Sequence, residues 1–185
     1  MNATIQVLLE KLQELDGELE KELERHRKEF HYTVRRNRVR FEEEVRKHHL
    51  ELRKGIIRFI RESRIIGLLV APVIYALIVP IVLLDIAVSL FQLVCFPVYG
   101  IKKVPRADFI VVDRHHLSYL NGIEKLNCAY CGYANGVLSW TREIAGRTEE
   151  YWCPIKHARR IQGQHRRYYG FAEYGDAEGY RKLSG

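Results

Sequence analysis

The sequence predicts a mainly α-helical membrane protein in three parts. These are a long N-terminal coiled-coil helix (residues 1–64), a transmembrane helical hairpin or single span (65–101), and a small C-terminal helical module (102–185). Three observations carry this expectation. Residues 65–101 form an apolar run of 37 residues with one charge, Asp85, and eighteen or more consecutive apolar residues mark a membrane span. Residues 1–64 lack proline and repeat their apolar positions every eleven residues. Residues 102–185 set Cys128, Cys131, Cys153 and His157 at metal-ligand spacings.

In the arm, Leu8, Leu19, Phe30, Phe41 and Leu52 lie eleven apart, as do Leu12, Leu23, Val34, Val45 and Ile56. Eleven residues close three turns at about 3.67 residues per turn, the period of a nearly straight or slightly right-handed coiled coil. The expectation is one helix, or two with a soft joint at Gly17, running up to the membrane. Its stripe has to be buried against something. A parallel homo-oligomer through residues 5–59 supplies the partner; folding back, or resting on the bilayer, is the alternative. A third series, Leu15, His26, Asn37, His48 and Phe59, turns polar in its middle, which suits polar layers that fix register. A metal or pH sensor is the less economical reading of those histidines.

The apolar run is too long for one straight crossing, since 37 helical residues measure about 55 Å against a hydrocarbon core of about 30 Å. Either residues 65–82 and 86–101 form a hairpin with its tip near Leu83–Asp85, or residues 65–84 span once and the rest lies along the far interface. Arg53, Lys54, Arg58, Arg61 and Arg64 precede the run, and Lys102, Lys103 and Arg106 follow it. Basic residues beside a span favour the cytoplasmic face and attract anionic lipid. Two basic flanks favour the hairpin, as does Asp85, which a wet tip accommodates better than lipid does. Pro72, Pro80 and Pro97 permit kinks in either arrangement. Asp85 as a proton or ion relay lacks an intramembrane base in support.

The net charge of +7 is uneven. Residues 1–30 carry eight acids and five bases, residues 31–64 eleven bases and five acids, and the region after Ile101 fourteen bases and nine acids. Membrane lipids explain the basic flanks more simply than nucleic acid does. No cleavable signal is legible in the charged, periodic stretch before residue 60.

In the module, a strand-like stretch at Phe109–Val112 precedes Asp113, which is placed to cap a helix running to about Asn127. Cys128 and Cys131 form a Cys-x2-Cys pair, and Cys153 and His157 follow four residues apart. Together they suit a closed, structural zinc site, with an iron–sulfur cluster the less favoured alternative. The site needs a chain reversal, because an unbroken helix over residues 133–152 would hold Cys131 and Cys153 about 30 Å apart. Ala145–Thr148 is the place for it, with Gly146 as stop and Thr148 as the next cap. Other readings of the pair are thiol redox, metal shared with another subunit, and buried thiols. Gly132 stands where covalent haem attachment needs His. His115 and His116 are candidates for extra ligands or a general base, with Glu124 or Glu143 as acid partners, though solvated or capping roles explain them more simply. Cys95, inside the apolar run, reads as a packed thiol. The tail from His165 to Tyr174 interleaves bases and aromatics, which suits the bilayer interface or a strap across the module.

Phe96-Pro-Val-Tyr-Gly-Ile, Asp113-Arg-His-His-Leu, Asn127-Cys-Ala-Tyr-Cys with Tyr133-Ala-Asn-Gly, and Tyr151-Trp-Cys-Pro-Ile-Lys-His-Ala together resemble an uncharacterised family of small bacterial membrane proteins. The resemblance covers roughly residues 65–180. It implies a bacterial inner-membrane setting and no chemistry; the basic flanks and the hairpin, separately, place both polar parts in the cytoplasm. Two function classes follow. One is a non-enzymatic oligomeric scaffold or adaptor stabilised by metal; the other is a membrane-bound thiol-redox or metal-dependent enzyme or electron carrier using Cys128 and Cys131.

Overall fold

The computed structural model describes residues 3–30, 32–35, 38–41 and 43–183, and it is mainly helical. The chain forms two compact units, Met1–Tyr75 with Val112–Gly132, and Ala76–Val111 with Tyr133–Gly185.

In the first unit, α1 (Ala3–Glu29) runs through Gly17 without a joint. His26, Arg27 and Lys28 in its last turn complement the helix dipole. The expected continuous arm stops there. β1 (Tyr32–Arg35) and β2 (Arg38–Phe41) pair antiparallel from Tyr32↔Phe41 to Arg35↔Arg38. Their Tyr-Thr-Val and Val-Arg-Phe runs are β-branched and aromatic, and this preference overrides the eleven-residue period. Two short helices follow, α2 (Glu43–Glu51) and α3 (Ile56–Glu62). The apolar stripe on one helix is therefore confined to α1, where Leu8, Leu12, Leu15 and Leu19 are 54–59% exposed. The Asn37 layer lies outside the described residues.

The apolar run forms α4 (Ile65–Ala76) and α5 (Ile78–Val98). Leu77 between them keeps right-handed dihedrals (φ −62°, ψ −14°). The 34 residues Ile65–Val98 thus make one helix long and apolar enough to cross a membrane. The irregularity at Leu77 follows from Pro80, which has no N–H for the Ala76 carbonyl and crowds it. No reversal occurs at Leu83–Asp85; α5 passes straight through the expected hairpin tip.

The end of α5 is a Schellman cap. Gly100 is left-handed (φ +67°), Ile101 N–H donates to Phe96 O at 2.8 Å, and Gly100 N–H to Pro97 O at 3.4 Å. Ile101 also packs against Phe96 in the core of the second unit, whose buried centre is Phe96, Val104, Trp140 and Ile144. The chain between α5 and α6 (Gly122–Trp152) is irregular apart from 3-10 turns at Arg106–Asp108 and Arg114–His116. The expected strand at Phe109–Val112 is absent. In its place, the backbone of Phe109 and Ile110 lies against Gly136, where a Cβ would stand 2.8 Å from Ile110 Cα.

The helix expected from Asp113 begins instead at Gly122. Asn121 Oδ1 accepts from the N–H groups of Ile123 (3.0 Å) and Glu124 (3.1 Å), while Glu124 Oε2 accepts from Asn121 N–H at 2.9 Å. That is a capping box. Asp113 makes no side-chain cap to the short turn it precedes. After α6, the tail turns back on the second unit: Tyr168, Phe171 and Ala172 are buried, and Ile155 bridges Ala172. A final helix, α7, covers Ala177–Leu183.

Candidate functional site

The four expected metal ligands are placed as follows. Cys128 and Cys131 lie one turn apart on α6, Cys128 partly buried and Cys131 exposed. Cys153 is exposed just beyond the end of α6. His157 turns to Tyr168, whose hydroxyl accepts from the His157 backbone N–H at 2.6 Å and sits 3.2 Å from Nδ1.

The reversal at Ala145–Thr148 is absent, because α6 is helical from Gly122 to Trp152. The helical residues 132–152 separate Cys131 from Cys153 by about 33 Å. That exceeds the span of one tetrahedral ion with bonds of about 2.3 Å. Among the described residues, no three His, Cys, Asp or Glu side chains gather in a group able to hold a metal. Gly146 serves close packing rather than helix termination. A Cβ there would stand 2.9–3.1 Å from three ring atoms of His165, and His165 Nε2 is bonded to Glu149 at 2.9 Å.

The expected acid partners are otherwise engaged. Glu124 closes the α6 cap, and Glu143 meets Arg147 at 2.8 Å and Arg167 at 3.4 Å. His115 and His116 are exposed, their rings 3.9 Å apart.

A polar constellation that the sequence reading missed surrounds Asp85. Arg106 reaches the carboxylate twice, Nη2 to Oδ2 at 2.6 Å and Nε to Oδ1 at 3.2 Å, and Tyr133 OH donates to Oδ2 at 2.7 Å. Asp85 is buried, while the Arg106 side chain is half exposed. The carboxylate holds the Arg106 guanidinium above its ordinary pKa, and burial, then Asp85, raises the Tyr133 phenol. Two turns on, Gln92 Oε1 accepts from Val104 N–H at 2.6 Å and Trp140 Nε1–H donates to Val104 O at 3.1 Å. Arg147 donates to Lys102 O at 2.6 Å. These bonds fasten the chain after α5 back along that helix. Asp85 is thus a closed structural ion pair with both oxygens occupied, which suits anchoring better than proton transfer.

In the first unit, the His49 ring meets Phe41 and Tyr119 edge-on, with centroids 5.3 and 5.1 Å apart. Tyr75 OH donates to Asn127, and Tyr130 OH to Ile74 O at 2.8 Å. The segment before Cys128 is therefore packed on residues that precede and begin the apolar run.

No family model, no curated protein sequence and no solved structure matches the chain.

Proposed function

We propose that this chain is a membrane-anchored oligomeric scaffold or adaptor of a bacterial inner membrane, acting through protein and lipid contacts. The observation that carries the reading is the exposed apolar surface of Ile65–Val98, where Ile65, Leu69, Val73, Leu83, Leu93 and Val98 are each more than 59% exposed. Surface of that size needs lipid or protein to cover it. Its basic flanks favour anionic lipid on the cytoplasmic side. A second support is the exposed leucine stripe of α1, which a parallel copy of the same helix would bury.

Both polar parts lie on one side of the membrane in this reading, which requires the Ile65–Val98 helix to enter the bilayer without crossing it, since the run makes no hairpin. The His49–Tyr119 contact supports this, because it joins a residue before the apolar run to one after it. Labelling of Cys131 and Cys153 with an impermeant maleimide tests the topology. Intact cells should stay unlabelled and lysed cells should label at both thiols; reaction from outside would overturn the one-sided arrangement. For the oligomer, Leu12→Cys and Leu19→Cys chains should each form a symmetric disulfide dimer at the membrane. Monomers alone would sink it.

The metal reading that suits an unbroken α6 is intermolecular. Cys128 and Cys131 offer two thiolates one turn apart, and the same pair from a second chain completes the four that zinc takes. One zinc per two chains, lost in Cys128→Ala, is the expected result. Metal-free protein with a reversible Cys128–Cys131 disulfide would favour the thiol-redox alternative.

A further inference from the structure

Two hollows adjoin where α5 ends, both within the second unit. The first is a cavity of about 800 Å³ whose wall carries Lys102, Arg147 and Arg167 with Tyr99 and Tyr151. Its three cations outnumber Glu150 in the wall and Glu143 behind it. Arg147 and Arg167 are held in place by those two carboxylates, so little side-chain entropy remains to be lost on binding an anion. The second is a groove of about 450 Å³ lined mainly by Val88, Phe91, Ile144, Ala145 and Trp152, with Thr141, Thr148 and Glu149 also in its wall and the Glu149 carboxylate bonded to His165. Aromatic rings link the two: Tyr99 lies 5.5 Å from Tyr151 and 4.9 Å from Trp152, centroid to centroid.

A basic cavity, an apolar groove and an aromatic border at the end of an apolar helix match the layering of a membrane interface. We infer that the two hollows together bind one anionic phospholipid, with its phosphate among Lys102, Arg147 and Arg167 and an acyl chain along the groove. Charge complementarity selects the anionic headgroup, and the groove selects an amphiphile over a free anion. The inference rests on the membrane reading above and names the lipid class that the scaffold would recognise.

Trp140 and Trp152 are the only tryptophans; Trp140 is 1% exposed and Trp152 borders the groove. Full-length protein in non-ionic detergent is titrated with phosphatidylglycerol brominated on its acyl chains, and tryptophan quenching is read. Saturable quenching is expected, largely lost in Trp152→Phe. Brominated phosphatidylcholine should bind at least about fivefold more weakly, and Lys102→Gln should weaken phosphatidylglycerol by about fivefold, with Lys102→Arg restoring it. An unchanged circular dichroism spectrum separates this loss from misfolding. Equal quenching by the two lipids, or no effect of Lys102→Gln, overturns the proposal. Protection of Lys102 by inorganic phosphate without any lipid quenching assigns a free-anion site instead and also overturns it. Flotation with phosphatidylglycerol vesicles reads the membrane anchor separately: protein that floats but shows no saturable quenching keeps its anchor and loses this site.

Discussion

Gly146 of α6 lies directly beneath the imidazole of His165, where a Cβ would come within 2.9 Å of the ring. The ring is pinned by Glu149 at 2.9 Å and by the edge of Phe171. Gly146→Ala therefore overpacks the contact, at about 1–3 kcal/mol, against a helix-propensity gain of about 1 kcal/mol. At Gly17 nothing stands within 4 Å of the position a Cβ would take, so Gly17→Ala gains that propensity unopposed. Thermal melts followed by circular dichroism should move down for the first variant and up for the second. A Gly146→Ala protein as stable as the parent would refute the packing.

Removing either partner of the Asp85–Arg106 pair should have unequal effects. Arg106→Gln leaves a buried carboxylate with Tyr133 as its main remaining donor. Asp85→Asn leaves a guanidinium already half in water. The first should cost about 2–3 kcal/mol, discounted from a fully buried pair for the exposure of Arg106. The second should cost about 1–2 kcal/mol. Chemical unfolding of both variants and the double mutant checks the order; the reverse order would show that the carboxylate is not the buried member.

Glu62 carries the clearest pH signature outside the apolar run. Hydrogen bonds from Lys54 and Arg58 pull its carboxyl down to about 2. A depressed native pKa contributes stability above the unfolded value and loses it as the pH falls through the native one. The contribution should fade between about 4.5 and about 2. Carboxyl NMR should place the Glu62 midpoint near the lower figure, and Arg58→Gln should move it up. Because the group is exposed, added salt should weaken the effect.

The cap at the end of α5 depends on Gly100 at φ +67°. Gly100→Ala should cost about 1–2 kcal/mol, and Gly100→Asn less, since Asn tolerates the left-handed region. Amide exchange at Ile101, whose N–H closes the cap on Phe96 O, should rise in the Ala variant. Unchanged protection there would show that the Schellman bonds are dispensable.

Some of what sequence reasoning missed was legible. Asn121-Gly-Ile-Glu124 is a capping box in plain sight, and its two reciprocal bonds make it a stronger start than Asp113 alone. Gly146 resembles a stop because glycine commonly ends helices. One glycine costs only about 1 kcal/mol in a helix interior, too little to end α6 where Trp140 and Ile144 are buried on either side of Arg142. Tyr32–Arg35 and Arg38–Phe41 fit the eleven-residue period, but their residue types favour strand. In each case two local signals compete, and the one with more hydrogen bonds or more buried surface behind it prevails.

The sequence by itself determined the mainly helical class, the apolar run of residues 65–101, the basic flanks and the leucine stripe of α1; that the run forms one helix over residues 65–98 in place of a hairpin came from the structure. The former depend on composition and on periods of a few residues, which the chain carries locally. Only the tertiary structure decided that Asp85 meets Arg106 twenty-one residues later and that His165 fills the space over Gly146. It also decided that one continuous helix holds Cys131 apart from Cys153. Such pairings depend on how the chain closes on itself and which surfaces pack, and no local period encodes that.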